Sequence, residues 1–415
     1  MLTNSNSHWL GLRLLVAGAA ACLVAVPDPA AAMPLGASAI GSITIELTRH
    51  PHAVSGASRA SFAWRTTGIV GETRCRLDGG PYTYCRGNPG VYGRLQDGRH
   101  TFTVRVRNGY RVTAKASYAW LVDTVAPTPP AVGGGSADWR NDPSASISAS
   151  GSSDALSGLE GYQWRVSTDG SAWSAPAAGP VAAVRAQGVS YVQFRSRDRA
   201  GNVSDWQPAT HGVDSTVRLD RGPPTAPTVI GGSAAWQDAP SVTIDGAAAT
   251  DARSGVDHYE FRESVNGGAW SSPNQGASDT VTGEGETMVQ FRAVDAAGNA
   301  GSWAPATPGP ASTVRIDRSG PSDPVVSGGS AAWRPTASVT VSAAGSVDIG
   351  FGVDHYEYRI SADGGGSYGA AGAGASVQLA ATGTYVVQFR AVDAVGLASA
   401  WAPASPGAAN TACIS

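Results

Sequence analysis

Nine aspartates could do chemistry together if the fold gathered them. Asp154, Asp251 and Asp348 stand 97 residues apart, and so do Asp123, Asp220 and Asp317. Asp198, Asp295 and Asp393 recur at 97 and then 98 residues. Hard oxygen donors gathered near a domain junction would suit calcium, which takes about six to eight oxygens. No D-x-D-x-D loop concentrates these carboxylates, however. The plainer expectation is that they cap turns through Asx-type hydrogen bonds, with no metal and no cofactor.

Other reactive residues are few. His258 and His355 share a repeat position that Gly161 fills in another copy. They alternate with Tyr259 and Glu260 or Tyr356 and Glu357, as solvent-facing positions of a strand do. Nucleophile elbow, phosphate loop and zinc-ligand spacing are all absent from the sequence. Catalysis needs one unique constellation, whereas nearly every polar feature here recurs at a single period. The expectation is a chain with no catalytic residues, not an enzyme. Trp270, Trp303 and their equivalents could stack on sugar rings, but repeated aromatics more often fill a sandwich core.

Cys75 and Cys85 flank Asp78-Gly79-Gly80-Pro81. If Gly79, Gly80 and Pro81 form a three-residue loop, Asp78 faces Tyr82 and Cys75 faces Cys85. The sulfurs can then bridge a hairpin in an oxidising compartment, contributing roughly 2.5–3 kcal/mol through loop closure. Neither C-x-x-C nor a nearby His cluster supports a redox or metal role for this pair. Cys413 is then left without a partner, facing outward or along the edge of the last strand, where it could join a disulfide-linked partner.

The elements that must position these residues are repeated. VQFRAVDAAGNAGSW (Val289 to Trp303) returns as VQFRSRDRAGNVSDW from Val192 and as VQFRAVDAVGLASAW from Val387. Its alternating first half predicts a strand with one buried face, and Asp followed by Ala-Gly-Asn predicts a tight turn. Trp139, Trp236 and Trp333 are 97 residues apart, as are Tyr162, Tyr259 and Tyr356. That period exceeds a solenoid unit and suits a self-contained sandwich of about 100 residues. The expected modules are a diverged first one at 42–126, then 127–223, 224–320 and 321–415. In the first, Ile43 to Leu47, Ala60 to Trp64 and Thr101 to Val106 read as strands, and its Cys hairpin matches Asp169-Gly170, Asn266-Gly267 and Asp363-Gly364 of the others.

The composition excludes several classes. Net charge is −3 and charged residues make up 15%, with no basic run, so nucleic acid is not an expected partner. The 53 Gly and 26 Pro suit short strands joined by many turns. Arg13, an apolar run from Leu14 and small residues up to Ala32 read as a cleaved signal peptide, residues 1–32. A lipoprotein site at Cys22 fits less well, because Ala19 stands where Leu is usual. The run is too short to span a membrane, and no other long apolar segment follows.

The strings S-G-V-D-x-Y-E-x-R, F-R-A-V-D-A-A-G-N and S-T-V-R-I-D-x-x-x-P resemble tandem bacterial immunoglobulin-like repeats. The last copy departs with Leu397 in place of the Asn. This resemblance implies an all-β chain of four tandem Ig-like β-sandwiches, secreted or displayed at the cell surface. It also implies a non-catalytic adhesive or structural stalk whose partner is an unidentified protein or glycan. The competing expectations are a carbohydrate- or wall-binding array, or an accessory subunit of an extracellular enzyme system.

Overall fold

The computed structural model describes residues 42–108 and 111–415. The expected signal segment 1–32, with Cys22, lies outside them. The chain is all-β and forms two compact units. The described part of the first is residues 42–50, 61–91, 101–108 and 111–119, and the second holds 51–60, 92–100 and 120–415.

In the first unit Thr44–Arg49 pairs antiparallel with residues 63–67, and Glu72–Leu77 pairs with both Thr83–Tyr84 and residues 102–107. Phe62 and Phe102 stack at 4.1 Å between ring centroids, both fully buried. The Cys hairpin turns one residue earlier than expected. Asp78 and Gly79 take φ of +49° and +74°, and the Gly80 N–H donates to the Leu77 carbonyl at 3.0 Å. This is a two-residue turn of the kind Asp-Gly favours, because its twist matches the flanking strands. Cys75 therefore pairs with Thr83 rather than Cys85. Cys75 and Cys85 are still bonded, reaching across with Cα atoms 4.9 Å apart.

Among the described residues the second unit builds one pair of sheets three times. In the first instance Val181–Val184, Ala145–Ser150 and Ala131–Gly133 form a three-stranded sheet, in that order. Its partner runs Ala177–Ala178, Leu159–Ser167, Gly188–Asp198, Thr216–Leu219. Ile147, Ala182, Val192, Phe194 and Leu219 pack between them with essentially no exposure. The same arrangement surrounds Phe291 and Phe389. These are Ig-like β-sandwiches, and the alternation in VQFR aims Val and Phe inward. Each Phe needs room across the sandwich. Opposite Phe291 a small residue is obligatory, because a Cβ on Gly246 would press into the ring.

The third copy carries one additional strand. Ser330–Arg334 lies parallel to Thr411–Ile414, which turns that sheet into a five-stranded one. It covers Cys413, expected to face outward or lie along the strand's edge but only 6% exposed. The thiol sits 3.6 Å from the Ala331 carbonyl and 3.9 Å from the Thr384 hydroxyl. Edge-strand cover, which periodicity along one strand does not report, accounts for the difference. A disulfide to another chain would require this strand to lift.

Candidate functional site

Two features recur in all three copies: an aromatic–guanidinium stack and a carboxylate triad. The stack forms on the outer face of the larger sheet. Arg165 on Leu159–Ser167 and Arg195 on Gly188–Asp198 lie on adjacent strands. The Arg165 guanidinium lies 4.6 Å from the Trp173 ring centre and 4.4 Å from that of Trp206, with Arg195 4.6 Å from Trp206. Arg165 donates twice to Gln193 Oε1, and Gln193 Nε2 donates to the Pro208 carbonyl. Arg262, Trp270, Trp303 and Arg292 repeat the pattern, as do Arg359, Tyr368, Trp401 and Arg390. Burial, and then the neighbouring Arg195 or Arg292 charge, push the Arg165 and Arg262 guanidinium pKa values below their ordinary position.

The expectation that these Trp residues fill the core is thus corrected. They are half-buried on the outside, and Phe194, Phe291 and Phe389 occupy the interior. Each guanidinium on a desolvated ring contributes about 0.5–2 kcal/mol. Ring faces taken by arginine are not free to stack on a sugar. Near this sheet in the first copy a cleft of about 420 Å³ opens beside Gly161, lined by Tyr162, Gln163 and the Glu160–Arg197 ion pair. His258 and His355, which stand at Gly161's position in the other copies, each bond the carboxylate of the preceding Asp at 2.7 and 2.8 Å.

The nine aspartates assemble into three triads. Asp123, Asp154 and Asp198 each offer an oxygen within 4.8 Å of the other two, as do Asp220, Asp251 and Asp295, and Asp317, Asp348 and Asp393. The first of each set lies on the strap entering the sandwich and is fully buried. The second heads the loop before the Tyr162, Tyr259 or Tyr356 strand. The third closes the VQFR strand, where its Oδ1 caps the Ala-Gly-Asn turn. That turn requires φ of +96°, +87° and +95° at Gly201, Gly298 and Gly396, a conformation that favours glycine. Two like charges about 4 Å apart repel by on the order of 4 kcal/mol at an effective dielectric of 20. Each triad therefore needs compensation.

The first two triads find it within the chain. Asp123 Oδ2 accepts the Ser157 N–H at 3.0 Å, and Asp220 Oδ2 accepts both the N–H and the hydroxyl of Ser254. Asn202 Nδ2 donates to Asp198 Oδ2 at 2.7 Å and to the Asp123 carbonyl at 2.8 Å. Asn299 does the same for Asp295 Oδ2 and the Asp220 carbonyl, at 2.8 and 3.0 Å. Arg253 adds a cation 3.9 Å from Asp220. Burial works against ionisation at Asp154 and Asp251, yet the N–H groups of their own loops hold both below the ordinary carboxylate range.

The third triad is different. Burial pushes the Asp317 pKa up, opposed by the Phe351 and Ser319 N–H groups and reinforced by the Asp348 and Asp393 charges. The repeat spacing in the sequence marks all nine of these residues. The Asx-cap expectation describes the loops well, but the meeting of three caps at each strap depends on tertiary contacts between sequence positions up to 79 apart.

No protein-family model matches the chain, and no curated protein matches it in sequence. Among solved structures, a crystal structure of a tetra-tandem repeat in the extending region of a large adhesion protein is similar at 16% identity and a TM-score of 0.29. It covers 86% of this chain and 97% of that one. The FN1–FN3 domains of chicken CNTN1 are similar at 13% identity and a TM-score of 0.26, over 66% of this chain and all of that one. The strand order described above carries the fold assignment itself. The chain is a tandem array of Ig-like β-sandwiches.

Proposed function

We propose that the chain is a non-catalytic extracellular or cell-surface protein, an adhesive or structural stalk that holds a binding surface away from its point of attachment. One observation carries this reading. The repeated strap aspartates join successive sandwiches, because each is fully buried and bonded to the loop of the sandwich that follows. A chain built to hold neighbouring sandwiches in a set relation needs such joints, whereas loosely linked modules do not. The four-module division at 42–126, 127–223, 224–320 and 321–415 belongs to this reading, as does export through residues 1–32. No described helix is long and apolar enough to cross a membrane.

The stalk reading is preferred to a carbohydrate-binding array because the outer-face ring faces are stacked on arginine. Co-sedimentation of the purified chain with intact cells, cell walls and insoluble glycans tests it. A stalk or adhesin binds cells or nothing, and it keeps that behaviour when Trp206, Trp303 and Trp401 are replaced by Leu. Retention on one glycan that disappears in those variants would replace the stalk reading with the carbohydrate reading.

A further inference from the structure

The outer faces of the three sandwiches use the same strands but do not carry the same charges. On Leu159–Ser167 and Gly188–Asp198 the paired outward positions are Gly161 with Arg197, Gln163 with Arg195, and Arg165 with Gln193. In the second copy they are His258 with Val294, Glu260 with Arg292, and Arg262 with Gln290. The third copy repeats the second, with His355 and Val392, Glu357 and Arg390, and Arg359 and Gln388. Gly161, Gln163 and Arg197 therefore set the first copy apart, and all three fall in one corner of its sheet.

Each change opens or charges the same cleft. Gly161 lacks the imidazole that the other copies place there, and the space of about 420 Å³ beside it is walled by Ala178 and Pro180. Arg197 also lines it, with its Nε bonded to Glu160 at 2.8 Å. In the other copies the residue at Glu160's position, Asp257 or Asp354, is instead bonded to its neighbouring histidine. Glu260 and Glu357 each give the arginine across from them a carboxylate, at 2.6 and 2.7 Å. Gln163 gives Arg195 only an amide oxygen, at 2.8 Å, which leaves the Gln163 NH2 group as a donor beside the cleft. On these two strands Arg165, Arg195 and Arg197 thus face one carboxylate, Glu160, whereas Arg262 and Arg292 are balanced by Asp257 and Glu260. Excess positive charge in a concave site raises the local concentration of anions.

We propose that this cleft binds an acidic sugar, a hydroxylated ring that carries a carboxylate. The Arg197 guanidinium presents N–H groups in a planar fork that matches a carboxylate, and the Gln163 NH2 adds a donor beside it. Glu160 is an acceptor on the same rim, which suits a sugar hydroxyl and not a second anion. Ala178 and Pro180 supply apolar surface for the C–H groups of a ring. The volume is on the scale of small-molecule sites, about 300–1,000 Å³, and exceeds what a bare anion needs. A peptide strand fits poorly. Ala178 is already paired with Gln163, the Gly179 N–H donates to the Tyr162 carbonyl, and the Pro180 carbonyl accepts the Ala149 N–H. Pro180 itself has no N–H to offer, so recognition falls to side chains and not to a backbone ladder. The site goes beyond the stalk reading and does not depend on it, since a spacer with no adhesive role would bind the same sugar. It also differs from a carbohydrate-binding array, which would use every copy.

Ligand-detected saturation-transfer NMR on the full chain tests the proposal. The probes are sodium D-glucuronate, D-galacturonate and N-acetylneuraminate, with D-glucose, D-galactose and sodium acetate as controls. The expected result is saturable binding of at least one acidic sugar with a Kd on the order of 1 mM, ordinary for a ligand of about 13 non-hydrogen atoms. The controls should bind at least about tenfold more weakly, since each lacks either the carboxylate or the ring. Gly161→His, Gln163→Glu and Arg197→Val each install the residue that the other two copies carry at that position. All three variants should therefore fold, as circular dichroism will show, and each should weaken the acidic sugar at least about tenfold. Replacing Trp303 and Trp401 together by Leu should leave it unchanged. Silence from all three acidic sugars at tens of millimolar would overturn the site, as would equal binding of the neutral sugars. Acetate binding as tightly as the sugars would mean an adventitious ion only. Binding that survives both Gly161→His and Arg197→Val would place the sugar elsewhere, and loss on replacing Trp303 and Trp401 would place it on the Trp faces.

Discussion

One side-chain amide tethers the turn to the strap in each of the first two joints: Asn202 Nδ2 reaches three oxygens, those of Asp198, the Asp123 carbonyl and the Val125 carbonyl, and Asn299 Nδ2 reaches two. Asn299 Nδ2 reaches Asp295 Oδ2 at 2.8 Å and the Asp220 carbonyl at 3.0 Å. Removing one partner from a buried pair costs more than the bond itself contributes, because the remaining group has also lost water. Asn299→Leu should therefore destabilise its sandwich by about 1–3 kcal/mol, read from the midpoint of denaturant unfolding without added metal. A change below a few tenths of a kcal/mol would mean that Asp295 finds another donor, and the account of the joint would need revision.

At the scale of elements, the middle of the three sandwiches breaks the apolar pattern of its neighbours. Asp279 lies on Ser278–Val281 at the position of Ala182 and Val377, and Glu263 lies on Val256–Val265 at that of Val166 and Ile360. Two carboxyls thus replace residues that belong to or pack against the core elsewhere. Burial, then the Glu263 carboxyl beside it, pushes the Asp279 pKa up to about 7. A carboxyl whose folded-state pKa lies above its unfolded value binds its proton more tightly when folded. Stability should therefore be fullest below about pH 4 for this group and fall as pH rises towards 7. Asp279→Asn should flatten that fall and stabilise the chain by on the order of 2 kcal/mol at pH 8, with roughly a third of that gain at pH 5. Parallel urea titrations at the two pH values check this. Equal effects at both would show that the carboxylate carries no buried charge.

For the molecule as a whole, each sandwich has its own buried Phe and its own cluster of apolar residues. Residues 127–223, 224–320 and 321–415 should then each unfold cooperatively as separate fragments. Each should be less stable than in the chain, because the strap aspartate of one fragment loses the loop that completes it in the next. Differential scanning calorimetry of the three fragments tests this division. A fragment without a cooperative transition would show that the boundary is misplaced or that the sandwiches fold only together.

Much of this was legible along the chain. Alternation in VQFR specifies which side chains face inward, and Ala-Gly-Asn specifies a turn, because both depend on neighbours a few residues away. The 97-residue spacing marked the same nine aspartates that the fold gathers into triads. The placement of Trp206, Trp303 and Trp401 was not legible, since an indole suits a core and an arginine stack equally well by hydrophobicity. Cover over Cys413 was not legible either, because it comes from Ser330–Arg334, some 80 residues upstream of the strand it shields. The difference between the third joint and the first two lay between these cases. Leu397 stood out as a departure, but only the tertiary structure shows that it leaves Asp393 Oδ2 buried with no partner, since that depends on what the strap and loop bring from elsewhere.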